Sequence, residues 1–138
     1  MTTNTDTKSP LRHVTTAVRL FVGLAFFVFG LNFFLHFIPQ PPDKPMPEFV
    51  IAMVKSGYMM PLVGGTQLLV GILLLINRFV PLALALLAPV VVNILALHIF
   101  LDPSGIPVAI VVVLLELYLA WSYRSAFAPM LAPKVTPG

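Results

Sequence analysis

The feature that most constrains this chain is a set of four long stretches without charge. Residues 20–38, 59–77 and 79–101 hold no Lys, Arg, Asp or Glu, and residues 106–123 hold only Glu116. The runs are 19, 19, 23 and 18 residues long and fill more than half of the 138-residue sequence. A helix of about 20 residues crosses a hydrocarbon core of about 30 Å. Spanning strands need only about 10 residues and alternate in polarity, which these runs do not. Helices buried in a soluble bundle keep one polar face, and no run has one. The expected fold class is all-α: an integral membrane antiparallel four-helix bundle, with spans at about 18–38, 59–77, 79–101 and 106–124.

Composition excludes the main alternatives. Charged residues are 9% and apolar residues 59%, against a usual charged share of about 25% in soluble domains. So few charges cannot cover the surface of a soluble globule this small, and so much apolar content excludes disorder. The net charge of +3 is scattered and forms no basic stripe, which argues against nucleic acid as a partner. With no cysteine, disulfides, Fe–S ligation, c-type haem attachment and thiol chemistry are absent. The partner that composition does imply is the lipid bilayer. Lys8, Arg12 and Arg19 precede the first run as in a signal peptide, but no small-residue cleavage site follows, so the run is expected to remain as a span.

Lys and Arg set the expected orientation. With four spans, Lys8, Arg12, Arg19, Arg78, Arg124 and Lys134 share one side, and only Lys44 and Lys55 lie on the other. Both termini are therefore expected in the cytoplasm, in a cytoplasmic (inner) membrane. Trp121 and Tyr123 fit the inner interface and Tyr58 the outer one. Residues 1–16 read as a polar cytoplasmic segment, 17–126 as the membrane domain and 127–138 as a cytoplasmic tail. The loop after the first run opens with five prolines between Pro39 and Pro47, which exclude a helix. Beyond them a short interfacial helix is expected over about 47–57, with Pro47 at its first turn and Gly57 at its end. Gly23 and Gly30, and Gly64 and Gly71, are each two turns apart on one face, a spacing that lets backbones approach. Pro89 falls inside the third span, where it should kink the helix and free a carbonyl.

Six polar side chains interrupt the runs: Asn32, His36, Gln67, Asn93, His98 and Glu116. Each is costly in lipid, so each is expected to face the interior. At 1.5 Å per residue, Gln67, Asn93, Glu116 and Asn32 fall about 12, 12, 15 and 9 Å below the outer side, one polar layer with one member per helix. Glu116 has two readings. One is a protonated carboxyl bonded to Gln67 or Asn93, joining helices; the other is a proton-accepting or ligand-binding group. His36 and His98 meet the depth condition for a b-type haem, but His at helix ends reads better as structural, and neither haem nor a metal site with Asp102 is expected. The phenylalanines of the first span, Phe26 to Phe37, read as packing or as the lining for a flat lipophile such as a quinone.

Several segments together resemble the DoxX family of small four-span bacterial membrane proteins. They are Phe29-Gly30-Leu31-Asn32-Phe33-Phe34-Leu35-His36-Phe37, then Pro61-Leu62-Val63-Gly64-Gly65-Thr66-Gln67, then Asn77-Arg78-Phe79-Val80-Pro81, then Ala88-Pro89-Val90-Val91-Val92-Asn93 and His98. The resemblance covers about residues 19–124 and implies a four-helix membrane bundle, found in relatives within membrane oxidoreductase complexes that include a thiosulfate:quinone oxidoreductase. In many members the position of Gln67 is acidic. The amide here leaves Glu116 as the one buried acid, and the lack of cysteine argues against direct sulfur transfer. No nucleotide motif, cofactor-attachment motif or nucleophile constellation is present. The expected function is therefore an accessory subunit of a membrane complex or a small-lipophile-binding bundle, with other subunits or a second copy as partners. The alternatives are a quinone-linked oxidoreductase component and, last, proton-coupled transport, which four spans without an inverted repeat support least.

Overall fold

The computed structural model describes residues 10–138. It is all-helical, with no strand among the described residues. Six α-helices follow in order: α1 (Pro10–Leu35), α2 (Glu48–Lys55), α3 (Met59–Ile76), α4 (Val80–Phe100), α5 (Ile106–Ser122) and α6 (Arg124–Phe127). One 3₁₀ turn, Pro103–Gly105, precedes α5 and another, Ala128–Leu131, follows α6. Four helices are long and apolar enough to cross a membrane: α1, α3, α4, and α5 with its preceding turn.

α1 begins earlier than the sequence suggests. The span expected from about residue 18 is the continuation of a helix that starts at Pro10, so most of the expected polar segment after residue 9 is helical. Residues 1–9, with Lys8, lie outside the described residues. The charges of Arg12 and Arg19 do not stop a helix; they only end the apolar run. α1 also stops sooner than expected, at Leu35. There the Asn32 carboxamide oxygen accepts the Ile38 backbone N–H at 2.8 Å, and His36 adopts a left-handed conformation (φ 49°). Asn32 thus closes the helix end, and the prolines that follow prevent its resumption. α2 lies within the expected 47–57 and ends at Lys55, two residues before Gly57, whose φ of 80° suits glycine. The α3–α4 turn is made by two left-handed residues, Asn77 and Phe79; asparagine accepts that conformation readily and phenylalanine does not. α6 and the 3₁₀ turn after it occupy part of what the sequence reads as tail.

α1 packs most extensively on α3, α4 on α5 and on α3, and α5 also touches α1. The α1–α3 contact is a backbone approach. A Cβ on Gly30 would meet the backbone of Leu68 and the Gly64 carbonyl. A Cβ on Gly71 would strike the backbone of Phe27 and the Gly23 carbonyl. Gly64 lies against the Phe33 ring. The core beside this seam is Val22, Phe26, Val70, Leu74, Val80, Ala83, Leu84, Leu87, Val91 and Leu119. α4 runs unbroken through Pro89.

The seam predicts a sharp split among glycine substitutions. Gly30→Ala and Gly71→Ala place a methyl against backbone that cannot rotate away, so each should cost about 1–3 kcal/mol. Gly65 has nothing within 4 Å of an added Cβ, so Gly65→Ala should be neutral or stabilising by up to about 1 kcal/mol. Unfolding midpoints of the three variants in a neutral detergent check this ranking.

Candidate functional site

The six polar residues do not assemble into one layer. Glu116 and Gln67 are buried, 7% and 6% exposed. Gln67 shares the buried stripe of α3 with Gly64, Val70 and Gly71, and no hydrogen bond joins it to Glu116. Asn93, expected inside, is exposed on α4. Asn32 is half-buried and spent on the end of α1. The expected bond of Glu116 to Gln67 or Asn93 is therefore not made. The physical reason is rotational: similar depth does not place four side chains on facing sides of their helices.

The two histidines also part. His36 is exposed beyond α1. His98 is half-buried, with Nδ1 3.1 Å from the Asp102 backbone carbonyl and 3.8 Å from its carboxylate. Gly105 makes room for that ring, since a Cβ there would overlap it. Asp102 anchors a polar cluster on this side. Lys44 Nζ lies 2.8 Å from its Oδ2 and donates to Ser104 Oγ at 2.7 Å. Ser104 Oγ donates in turn to Asp102 Oδ1 at 2.6 Å. This ties the proline-rich loop to the α4–α5 connection, a long-range pairing with no local sequence signal.

Glu116 lies in a different setting. It borders an open cleft of about 310 Å³ between α4 and α5, lined by Leu84, Ala85, Ala88, Ala120 and Phe127. Its Oε2 is buried with no hydrogen-bond partner. The cleft exists because three of its wall residues are alanines. Pro89 supplies no N–H to the carbonyl four residues back, and that residue is Ala85, on the wall of the same cleft. The cleft is thus apolar, with one unpartnered carboxyl oxygen and a helix carbonyl that lacks its usual donor. A ligand suited to it is a lipophile bearing a hydrogen-bond donor.

Sequence reasoning placed Arg19 at the cytoplasmic edge of the first span; the structure buries it between helices. It is 7% exposed, and its guanidinium donates to the Leu74 carbonyl in the last turn of α3. The usable signal was the glycine period: Arg19 lies one turn before Gly23 on the face that also carries Phe26 and Gly30. α1 is tied to α5 by Thr15 Oγ1 and Tyr118 Oη, 3.0 Å apart. At the end of α5, Arg124 stacks over Trp121 at 4.4 Å and donates to its carbonyl.

Comparison of the chain with protein-family models, with curated proteins and with solved structures finds no match.

The Lys44–Asp102 pair makes a pH prediction. Its hydrogen bonds from Lys44 and then Ser104 hold the Asp102 carboxyl below its ordinary value of 3.8. A lowered pKa means the tether is complete above that ordinary value and is lost as pH falls through the lowered one. The Lys44 amide, which donates to the Pro41 carbonyl at 3.4 Å, should therefore show a protection factor (its exchange rate relative to that of a free chain at the same pH) that is constant at neutral pH and falls in strong acid. Asp102→Asn should show the low protection at every pH.

Proposed function

We propose that the chain is a multi-pass protein of a bacterial cytoplasmic (inner) membrane, an antiparallel four-helix bundle with both termini in the cytoplasm. In this reading it binds a small lipophile in the Glu116 cleft. The observation that carries the binding role is the buried, unpartnered Oε2 of Glu116 in an otherwise apolar cleft. A buried acceptor without a donor is expensive, and a ligand hydroxyl or amine removes that cost. The resemblance to the DoxX family belongs to the same proposal, and with it a place as accessory subunit of a membrane complex. A hydroquinone is one lipophile of the required chemistry, so the quinone-linked reading is a special case of this site.

The membrane part is supported by what the helices leave outside. Phe21, Val92, Val108 and Leu114 are 62%, 66%, 68% and 59% exposed, on helices with almost no polar surface. In water such surface drives association; in lipid it is ordinary. Arg12, Arg19, Arg78, Arg124 and Lys134 lie toward the end that carries the termini, and Lys44 and Lys55 toward the other, as the positive-inside rule requires.

Two experiments test the proposal. The chain has no cysteine, so single-cysteine variants report sidedness cleanly. Gln40→Cys should react with an impermeant maleimide in intact cells, and Ser125→Cys only after permeabilisation; the reverse pattern would refute the orientation. For the cleft, lipophiles extracted from protein purified in mild detergent should include a donor-bearing species. It should fall about tenfold or more in Glu116→Gln, which loses the carboxylate acceptor, and in Ala88→Leu, which fills the cleft. An unchanged yield in both variants would sink the binding role.

A further inference from the structure

A second cavity, at the end of the molecule where α1 begins and α3 and α5 finish, has the opposite chemistry. It measures about 420 Å³ and is lined by Arg12, Thr15, Thr16, Arg19, Asn77, Ser122 and Tyr123. We infer that it binds a phosphate-type oxyanion, either the phosphodiester headgroup of an anionic lipid or a soluble phosphate ester.

Charge is the first argument. Arg12 and Arg19 are the charged residues of the lining, and no carboxylate is among them. Neither arginine has a carboxylate partner among the described residues. Arg19 is a buried cation, and a buried cation needs neutralising. Its one bond, to the Leu74 carbonyl, uses a single N–H of the five that a guanidinium presents. The remaining donors form the fork that suits phosphate oxygens.

Position is the second. Arg12 and Arg19 are two turns apart on α1, about 10 Å along its axis at 1.5 Å per residue, with the threonines between them. The carbonyl end of α3, which would repel an anion, is partly masked. Arg19 occupies Leu74 O, and the backbone amides of Asn77 and Arg78 occupy Leu73 O. Ser122 and Thr16 direct their hydroxyl hydrogens at helix carbonyls, Tyr118 O and Arg12 O. Thr15 Oγ1 is paired with Tyr118 Oη, so the binding donors are the two guanidiniums and the Asn77 side-chain carboxamide. The lipid source rests on the membrane reading above, in which this end faces the cytoplasm, where basic pockets between helices hold anionic headgroups. The phosphate-ester source does not depend on it.

The test is thermal unfolding of the full chain in an uncharged maltoside detergent. Additions are phosphatidylglycerol, phosphatidylcholine with the same acyl chains, and sodium phosphate against sodium chloride at equal ionic strength. A midpoint raised by phosphatidylglycerol and not by phosphatidylcholine supports the lipid source. A midpoint raised by phosphate alone supports the soluble one. In either case Arg12→Gln, an exposed position that leaves the Arg19–Leu74 bond intact, should need about tenfold more ligand for half the effect. Lys134→Gln, which removes the same charge away from the cavity, should not. Arg19→Gln should abolish the effect, but it also cuts the bond to α3, so Arg12→Gln decides. The inference is overturned if neither phosphatidylglycerol nor sodium phosphate raises the midpoint above its control, phosphatidylcholine or sodium chloride, or if Arg12→Gln responds like the wild type. Maleimide sidedness reads the membrane proposal separately, so a reversed topology with a phosphate-dependent midpoint would leave this site standing.

Discussion

The rest of the structure depends on how closely α1 and α3 approach. Gly30 and Gly71 face backbone, and Gly23 and Gly64 supply the carbonyls beside them. On the membrane proposal, these apolar helices lie in an apolar solvent with no hydrophobic drive to associate, so contact must come from dispersion and from hydrogen bonds across the seam. Dispersion falls off steeply with distance, which is why the absent Cβ atoms matter more here than any single large side chain. Arg19 fixes the register at one end of this seam through the Leu74 carbonyl. The α4–α5 pair has alanines where α1–α3 has glycines, and it is there that the Glu116 cleft remains.

The polar side chains are arranged by helix ends as much as by depth. Asn32 closes α1, and His98 binds the carbonyl of Asp102 just past α4. Each satisfies backbone groups that a helix terminus leaves open. Glu116 and Gln67 are buried away from helix ends, and Glu116 is the one with a fully buried oxygen that nothing bonds. Of the six, Glu116 alone borders the cleft between α4 and α5, and none of them lines the polar cavity where α1 begins and α3 and α5 finish.

How much was legible follows from what each signal encodes. Charge-free runs report burial in an apolar phase, so the four long helices and their order could be read directly. Glycine spacing reports a face, so the α1–α3 seam could be read too. Helix starts were less legible: α1 reaches back to Pro10 because arginine is a good helix former, and a hydropathy boundary is not a helix boundary. Depth along a helix gave no rotation, so Asn93 was expected inside and lies outside. The pairing of Lys44 with Asp102 depends on how a proline-rich loop folds over a distant turn, which no local pattern records. Arg19 was readable only by continuing the glycine period one turn beyond the apolar run.

Two buried ionisable groups, Arg19 and Glu116, lie on helices that touch each other, α1 and α5. In a low-dielectric interior opposite charges attract strongly, so a salt bridge between them would be the expected way to offset burial. None forms. Arg19 is held in the α1–α3 seam by a backbone carbonyl, and Glu116 points between α4 and α5, so the helix rotations that make the seam keep the two apart. Each group must then find its complement elsewhere. On the two proposals, Glu116 takes a donor from a lipophile in the apolar cleft and Arg19 an anion in the polar cavity. A paired arginine and glutamate would have made one inert contact; unpaired, they are free for two ligands of opposite preference.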